Sequence, residues 1–341
     1  MAKNYKQFLK KKLYLGLLLT ILLFISIVIS LNTGSIEINL KQFTNLIFHF
    51  KEDQVFTHIL INIRLPRIFN AILAGTALSI SGAILQNLLK NPLASPFTLG
   101  ISHGAVFGAA LAITLKSYIP FGNSSYAIII FAFVFAIITM LIILLITAIK
   151  GLYAYVVILA GVALNSLFAS LTMLLQYFST DEEVAAIVFW TFGDLNKTVW
   201  SDIYLMSLII IPIIVYQIFI SPKYNITIWD DDTAMSLGVN IKLFKTVGII
   251  SACLITAAVI SFMGIIGFIG LISPHIIRLL IGNDHRFLLI YSAILGSIIL
   301  LLSDAIGRVI LAPAIIPVGI ITSLLGVPVF LYILLKNRGN S

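Results

Sequence analysis

An all-α, polytopic membrane protein with ten transmembrane helices is the fold class that this sequence predicts, on three observations. Sixty per cent of the 341 residues are hydrophobic and only 10% are charged, with a mean hydropathy of +1.12. Soluble domains carry roughly a quarter charged residues. Apolar runs recur along the whole chain, most near the ~20 residues needed to cross a hydrocarbon core. The cations between them are shared unevenly between alternate loops. The pattern describes a single membrane domain over 1–341, with a cytoplasmic N-tail at 1–12, an outer loop at 32–65 and a cytoplasmic loop at 221–246.

The first run, Leu13–Leu31, follows Lys3, Lys6, Lys10, Lys11 and Lys12. It is too long for a signal-peptide core and has no small-residue cleavage site, so it reads as a retained helix with a cytoplasmic start. The later runs are Pro66–Leu88, Pro96–Leu115, Ala127–Ile149, Leu152–Phe178, Ile203–Ile220, Val247–Phe262, Gly267–Ile281, Leu288–Ile306 and Ile316–Leu335. With the N-terminus inside, seven of the 21 Lys and Arg residues fall outside: Lys41, Lys51, Arg64, Arg67, Lys116, Lys197 and Arg308. The remaining fourteen fall inside, an excess that predicts an even number of spans with both termini in the cytoplasm. Acidic residues do not enter that rule, and no internal repeat or low-complexity tract is visible.

The net charge of +8 is scattered singly between apolar runs, which fits membrane orientation and not a nucleic-acid surface. The one cysteine, Cys253, lies in an apolar run, so neither a disulfide framework nor a Cys-based zinc site is available. No HExxH, GxSxG, CxxC or GxxxxGK[ST] sequence occurs. The chain is therefore expected to catalyse no reaction, to hold no cofactor or metal, and to draw its energy from elsewhere. His103 and His275 each lack a second ligand at metal spacing and read as packing residues. Asp304, near the outer end of the ninth run, is the one acid within a span. That scarcity leaves an ion-coupled secondary transporter as the lesser alternative.

Five stretches carry more information. In "LAGTALSISGAILQ", Gly75, Ser79, Gly82 and Gln86 share one helical face, the small-residue spacing by which membrane helices approach closely. "NPLASPFTLGISHGA" concentrates turn residues at Asn91, Pro92, Pro96 and Gly100 between two apolar runs. In the fifth run Gly161, Asn165, Thr172 and Gln176 share a face, which either interhelical hydrogen bonds or a water-lined pathway would satisfy. In the cytoplasmic loop, Asp230, Asp231 and Asp232 offer a helix start, Gly238 a stop and Asn240 a second cap. These predict a short helix of about two turns suited to docking a cytosolic partner. Arg64 and Arg67 flank Pro66 in "RLPR" and Arg308 follows the ninth run; they serve either an anionic partner outside or snorkelling toward headgroups.

The assembled motifs resemble those of the FecCD family, permeases of type II ABC importers for iron–siderophores, haem and cobalamin. The matching residues are "RLPR" at 64–67, "GTALSISGAILQ" at 75–86, "NPLASPFTLGISHGA" at 91–105, "ILAGVALN" at 158–165, "GFIGLISPHIIR" at 267–278 and "SDAIGR" at 303–308. The resemblance covers nearly the whole chain in order and continues through "PVGIITSLLGVPVFLYIL". It implies the ten-helix importer permease fold and a second permease subunit, identical or not. It also implies two cytosolic ABC ATPases, which bind ATP and Mg, and an extracytoplasmic substrate-binding protein. The chain would then be a non-enzymatic subunit, surrounded by membrane lipid, importing an iron chelate such as a ferric siderophore, or alternatively haem or cobalamin.

Site roles follow from the same resemblance. Arg64, Arg67 and Arg308 would meet acidic residues of the binding protein. Asp231, Asp232, Thr233, Ala234, Met235, Ser236, Leu237, Gly238 and Val239 would form the coupling helix that sits on the ATPase. Gly151 to Tyr155 would lie at the cytoplasmic gate, with the polar face of the fifth helix along the pathway. Asn91 and Pro92 would make the inner turn between the second and third helices.

Overall fold

A computed structural model of the chain describes residues 2–34, 54–118, 122, 124–197, 199–227 and 231–336. Lys41, Lys51, Glu37, Glu52, Asp53, Asp230 and Arg338, all placed in loops or tails from sequence, lie outside these residues. Among the described residues the fold is helical with no strand. The helices are α1 (Ala2–Asn32), α2 (Gln54–Ile59), α3 (Leu65–Leu88), α4 (Ile101–Thr114), α5 (Ser125–Lys150), α6 (Ala154–Phe178) and α7 (Asp181–Thr191). They continue with α8 (Trp200–Phe219), α9 (Ser221–Ile226), α10 (Asp231–Ser236), α11 (Ile241–Met263), α12 (Ile269–Ile281), α13 (His285–Val309) and α14 (Val318–Lys336). Seven segments are long and apolar enough to span a membrane, and α4, α12 and α14 add three shorter apolar helices, which agrees with ten spans.

α2 runs into α3 through a π-helical turn at Leu60–Arg64. Such a turn alters the backbone bonding, and here the Ile61 carbonyl accepts a bond from Trp200 Nε1 at 2.9 Å. α3 is the central helix, buried along most of its length against α11, α12 and α13. Its small residues permit this. A Cβ on Gly82 would lie 1.6 Å from the Gly270 carbonyl oxygen of α12, and one on Gly75 would lie 2.6 Å from the Ser297 backbone of α13. Ser81 Oγ donates to Ala252 O at 2.9 Å and sits 2.8 Å from Thr256 Oγ1, tying α3 to α11.

Four predicted spans begin later than expected, the fifth at Ala154, the tenth at Val318, and two others behind a left-handed residue. The third run was expected to be helical from Pro96, but Ser95 to Gly100 fold as successive turns. Thr98 N bonds Ser95 O, Leu99 N bonds Pro96 O, and Gly100 N bonds Phe97 O, so α4 starts at Ile101. Gly100 has φ +86, a left-handed conformation that suits glycine. The eighth run was expected from Gly267, but Phe268 takes φ +66 and α12 starts at Ile269. α7, opened by a Thr180/Glu183 capping box, was not foreseen at all.

The segments α3–α6 and α11–α14 share one pattern that sequence alone did not reveal: a long helix, a short one, then two more spans. α3 packs on α13 while α11 packs on α5, and each short helix packs on the two that follow it. Because alternate spans run in opposite senses, the two quartets cross the membrane in opposite directions.

Near the start of α1, Asp284 gathers three elements. It accepts from Lys12 Nζ of α1 at 2.9 Å, from Asn225 Nδ2 of α9 at 2.9 Å, and from Arg286 Nε at 2.9 Å. Hydrogen bonding from Arg286, with Lys12 and Asn225, holds its carboxyl far below the ordinary carboxylate range even though burial opposes this. A depressed pKa stabilises the fold above the unfolded carboxyl's value, and that contribution is lost as pH falls through the folded one. The stability gap between wild type and Asp284→Asn, read by thermal unfolding in detergent, is expected to stay constant down to about pH 5 and to narrow below about pH 4.

Candidate functional site

Three regions hold the residues singled out by sequence. In the first, α10 covers Asp231–Ser236 and ends in a turn in which Val239 N bonds Ala234 O and Gly238 takes φ +82. Asn240 Oδ1 accepts from Leu243 N at 3.1 Å and starts α11, so stop and cap both fall at the expected residues. Of the three aspartates expected to offer a helix start, Asp230 lies outside the described residues and Asp231 is the first helical residue, with its carboxylate 2.6 Å from Lys245 Nζ and 3.5 Å from Lys90 Nζ. Burial alone would raise this carboxyl, but the hydrogen bonds and charges of Lys245 and Lys90 hold it below its ordinary value. Ala234 is buried, whereas Met235 and Leu237 are 54% and 64% exposed. Asp232, Thr233, Ser236 and Gly238 are exposed beside them, and Val239 is half-buried. The helix is thus held by ion pairs and one small residue while two large apolar side chains, Met235 in it and Leu237 just after it, stay exposed. Lys90 and Lys245 were not singled out from sequence, because long-range pairing leaves no local spacing signal.

The second region is the α5–α6 corner and the face of α6. Gly151, at φ +88, makes the corner, and the exposed Tyr155 ring stacks on that of Tyr153 at 5.8 Å. The polar face behaves differently from a pathway wall. Gly161 packs against the backbone of Thr98 and Leu99, where a Cβ would meet Thr98 O at 2.4 Å. Asn165 is half-buried beside Gly100 and faces His103. Thr172 is buried and bonds Phe168 O within its own helix, and Gln176 is half-buried. The exposed face lies next to this one and carries Tyr155, Leu159, Val162, Ser166, Ser170 and Met173.

The third region is the outer arginine cluster. Its three members were expected to be presented outward, but Arg64 and Arg67 are buried, Arg308 is half-buried, and all three are turned onto the chain itself. Arg67 Nε donates to Asp304 Oδ1 at 2.7 Å, and Arg308 Nη2 lies 3.1 Å from Asp304 Oδ2. Arg308 also donates to Ser30 O at 3.0 Å, to Ser30 Oγ at 2.8 Å and to Thr33 O, while Arg64 donates to Leu31 O. The last carbonyls of a helix have no intrahelical partner, and cations there also complement the helix dipole. Two of the arginines therefore cap α1. Asp304, described from sequence as peripheral, has a side chain only 1% exposed and is clasped between Arg67 and Arg308. Charge reversal at Arg67 would break this pair, so that variant reports on folding before it reports on any outside partner.

Of the remaining predicted residues, Gly75, Ser79 and Gly82 lie in the α3 contacts, and Gln86 Nε2 donates to Leu271 O while its Oε1 accepts from Arg278. Asn91 Oδ1 accepts from Leu93 N at 2.9 Å, closing the turn that contains Pro92. Cys253 is buried, and no cluster of metal-ligating side chains occurs among the described residues.

Residues 22–336 match the FecCD transport family. The chain belongs to this family. FecCD proteins are ABC transporter permease subunits, which move cargo without catalysing a reaction. The chain is 46% identical over 341 residues to an ABC transporter permease protein of Methanocaldococcus jannaschii, covering 98% of this chain and 97% of that one. It is 35% identical over 327 residues to the hemin transport system permease HmuU of Yersinia pestis, covering 96% of both. A solved structure of a metal-chelate type ABC transporter in an inward-facing conformation superposes with a TM-score of 0.83 at 32% identity, over 93% of this chain and 97% of the other.

Proposed function

We propose that this FecCD permease imports an iron chelate, such as a ferric siderophore, across the cytoplasmic membrane of a prokaryote, with both termini inside. A second permease subunit, two cytosolic ATPases that bind ATP and Mg, and an extracytoplasmic binding protein complete the machine. Haem and cobalamin are the alternative cargoes, haem being what the Yersinia relative's name describes. The observation that carries the reading is α10. A six-residue helix with Met235 exposed in it and Leu237 exposed just after it, held through Asp231 to Lys90 in the turn after α3 and to Lys245 of α11, is suited to sit in a groove of an ATPase and pass on its movement. The exposed face of α6 supports a pathway shared with a second permease, since Ser166 and Ser170 interrupt its apolar residues. Gly151 and Tyr155 would stand at the inner mouth of that pathway. The arginine cluster supports binding-protein docking through its field: three guanidiniums around one carboxylate leave a local excess of positive charge that complements acidic side chains.

Affinity purification of the tagged chain from its native membrane tests the reading. Wild type is expected to retain a P-loop ATPase in mild detergent. Leu237→Asp, which changes an exposed side chain, is expected to lose at least tenfold of the bound ATPase with no change in thermal stability. Ala234→Pro removes a helical N–H at a cost of about 3 kcal/mol and is expected to abolish transport. Full ATPase retention and normal uptake in both variants would overturn the coupling role.

A further inference from the structure

A cleft of about 340 Å³ opens on the cytoplasmic side between the end of α3, the turn after it, and the α12–α13 corner. Gln86, Lys90, Asn91, Arg278, Asn283 and His285 line it, and no carboxylate is among its lining residues. Arg278 Nη1 donates to Gln86 Oε1 at 2.8 Å, and no acidic side chain among the described residues lies within ion-pair distance of it. Lys90 reaches Asp231 at 3.5 Å and is the second cation of the lining. Asp284, next to the lining residue Asn283, is committed to Lys12 and Arg286. His285 is only 1% exposed; its Nδ1 lies 3.3 Å from Asn225 Oδ1, and its Nε2 has no hydrogen-bond partner.

A buried polar atom without a partner is costly, and so is a partly buried cation without a counterion. The second cost falls on Arg278 in this cleft, and an anionic ligand removes it. We propose that this cleft binds a phosphate group. A guanidinium fork suits the paired oxygens of a phosphate, an ammonium adds charge, and the Asn283 amide supplies a further donor. The site is separate from the α6 face and from the apolar side chains of α10. Its phosphate comes either from solution or from the headgroup of an inner-leaflet lipid, for which Leu279 and Leu280, both exposed, offer an adjoining apolar surface.

The test is native mass spectrometry of the full-length chain, with inorganic phosphate as one probe and release from nanodiscs of phosphatidylglycerol or phosphatidylcholine as the other. A phosphate adduct that weakens at least tenfold in Arg278→Gln supports a soluble-anion site. Phosphatidylglycerol retained by wild type, lost from Arg278→Gln and unmatched by phosphatidylcholine supports the headgroup source. Because Arg278 also bonds Gln86, Asn283→Asp is measured in parallel: it places an unbonded carboxylate in the cleft at its rim and is expected to repel either probe with the melting temperature unchanged. Absence of both adducts from wild type, or equal adducts in wild type and both variants, overturns the proposal.

Discussion

Asp304→Ala is expected to destabilise the folded chain by about 3–5 kcal/mol, the range for removing one partner of a buried ion pair. The carboxylate is clasped by Arg67 and Arg308, whose side chains are 4% and 8% exposed, so its loss leaves two guanidiniums facing each other out of water. Arg308 also holds Ser30 and Thr33, so the same change loosens the outer end of α1. Thermal unfolding of the detergent-solubilised protein, followed by tryptophan fluorescence, should show a markedly lower midpoint. Asp304→Asn, which keeps an acceptor for Arg67, should fall between the two. A midpoint equal to wild type in Asp304→Ala would mean that the cluster is not the outer clasp described above.

Gly82→Ala is expected to be damaging out of proportion to its size. The added methyl would meet the Gly270 carbonyl at 1.6 Å and its carbon at 2.4 Å, and neither is a side chain that can swing aside. The two helices must separate, which opens the packing along α3 and α12. Overpacking of this kind costs about 1–3 kcal/mol, and more where the neighbour is backbone. Gly267→Ala makes a suitable comparison, because its new methyl would meet only Ser323 Oγ at 3.5 Å. Gly267→Ala should keep the wild-type yield of monodisperse protein on size exclusion, and Gly82→Ala should lose most of it. Equal yields would show that the α3–α12 approach is looser than the geometry described.

Much of this was legible in the sequence, for reasons that differ by element. Long apolar runs such as Ser125–Lys150 declare themselves by length, since a membrane requires it. The caps around α10 were legible because Gly238 and Asn240 act within a few residues of their own positions. The starts of α4 and α12 were not, because the residues before them are apolar enough to continue a hydropathy run while their backbones turn. The α6 polar face was seen as a set, but its direction depends on where the Ser95–Gly100 turns dock, and no local pattern encodes that. The arginines were found by their unexpected side of the membrane. Their inward orientation depends on partners distant in sequence: Arg67 meets Asp304 237 residues away, and Arg64 and Arg308 reach the end of α1 across 33 and 275 residues.

The Gly82–Gly270 approach has a mechanical meaning as well as a packing one. Where side chains separate two helices, a displacement can be absorbed by rotamer changes before it reaches the partner. Here backbone rests on backbone, and Ser81 fastens the adjoining turn of α3 to Ala252 and Thr256 of α11. Lys245, one turn into α11, holds Asp231 of α10. The train from α10 through α11 and α3 to α12 therefore contains few parts that can yield, and it behaves as a stiff linkage rather than a chain of springs.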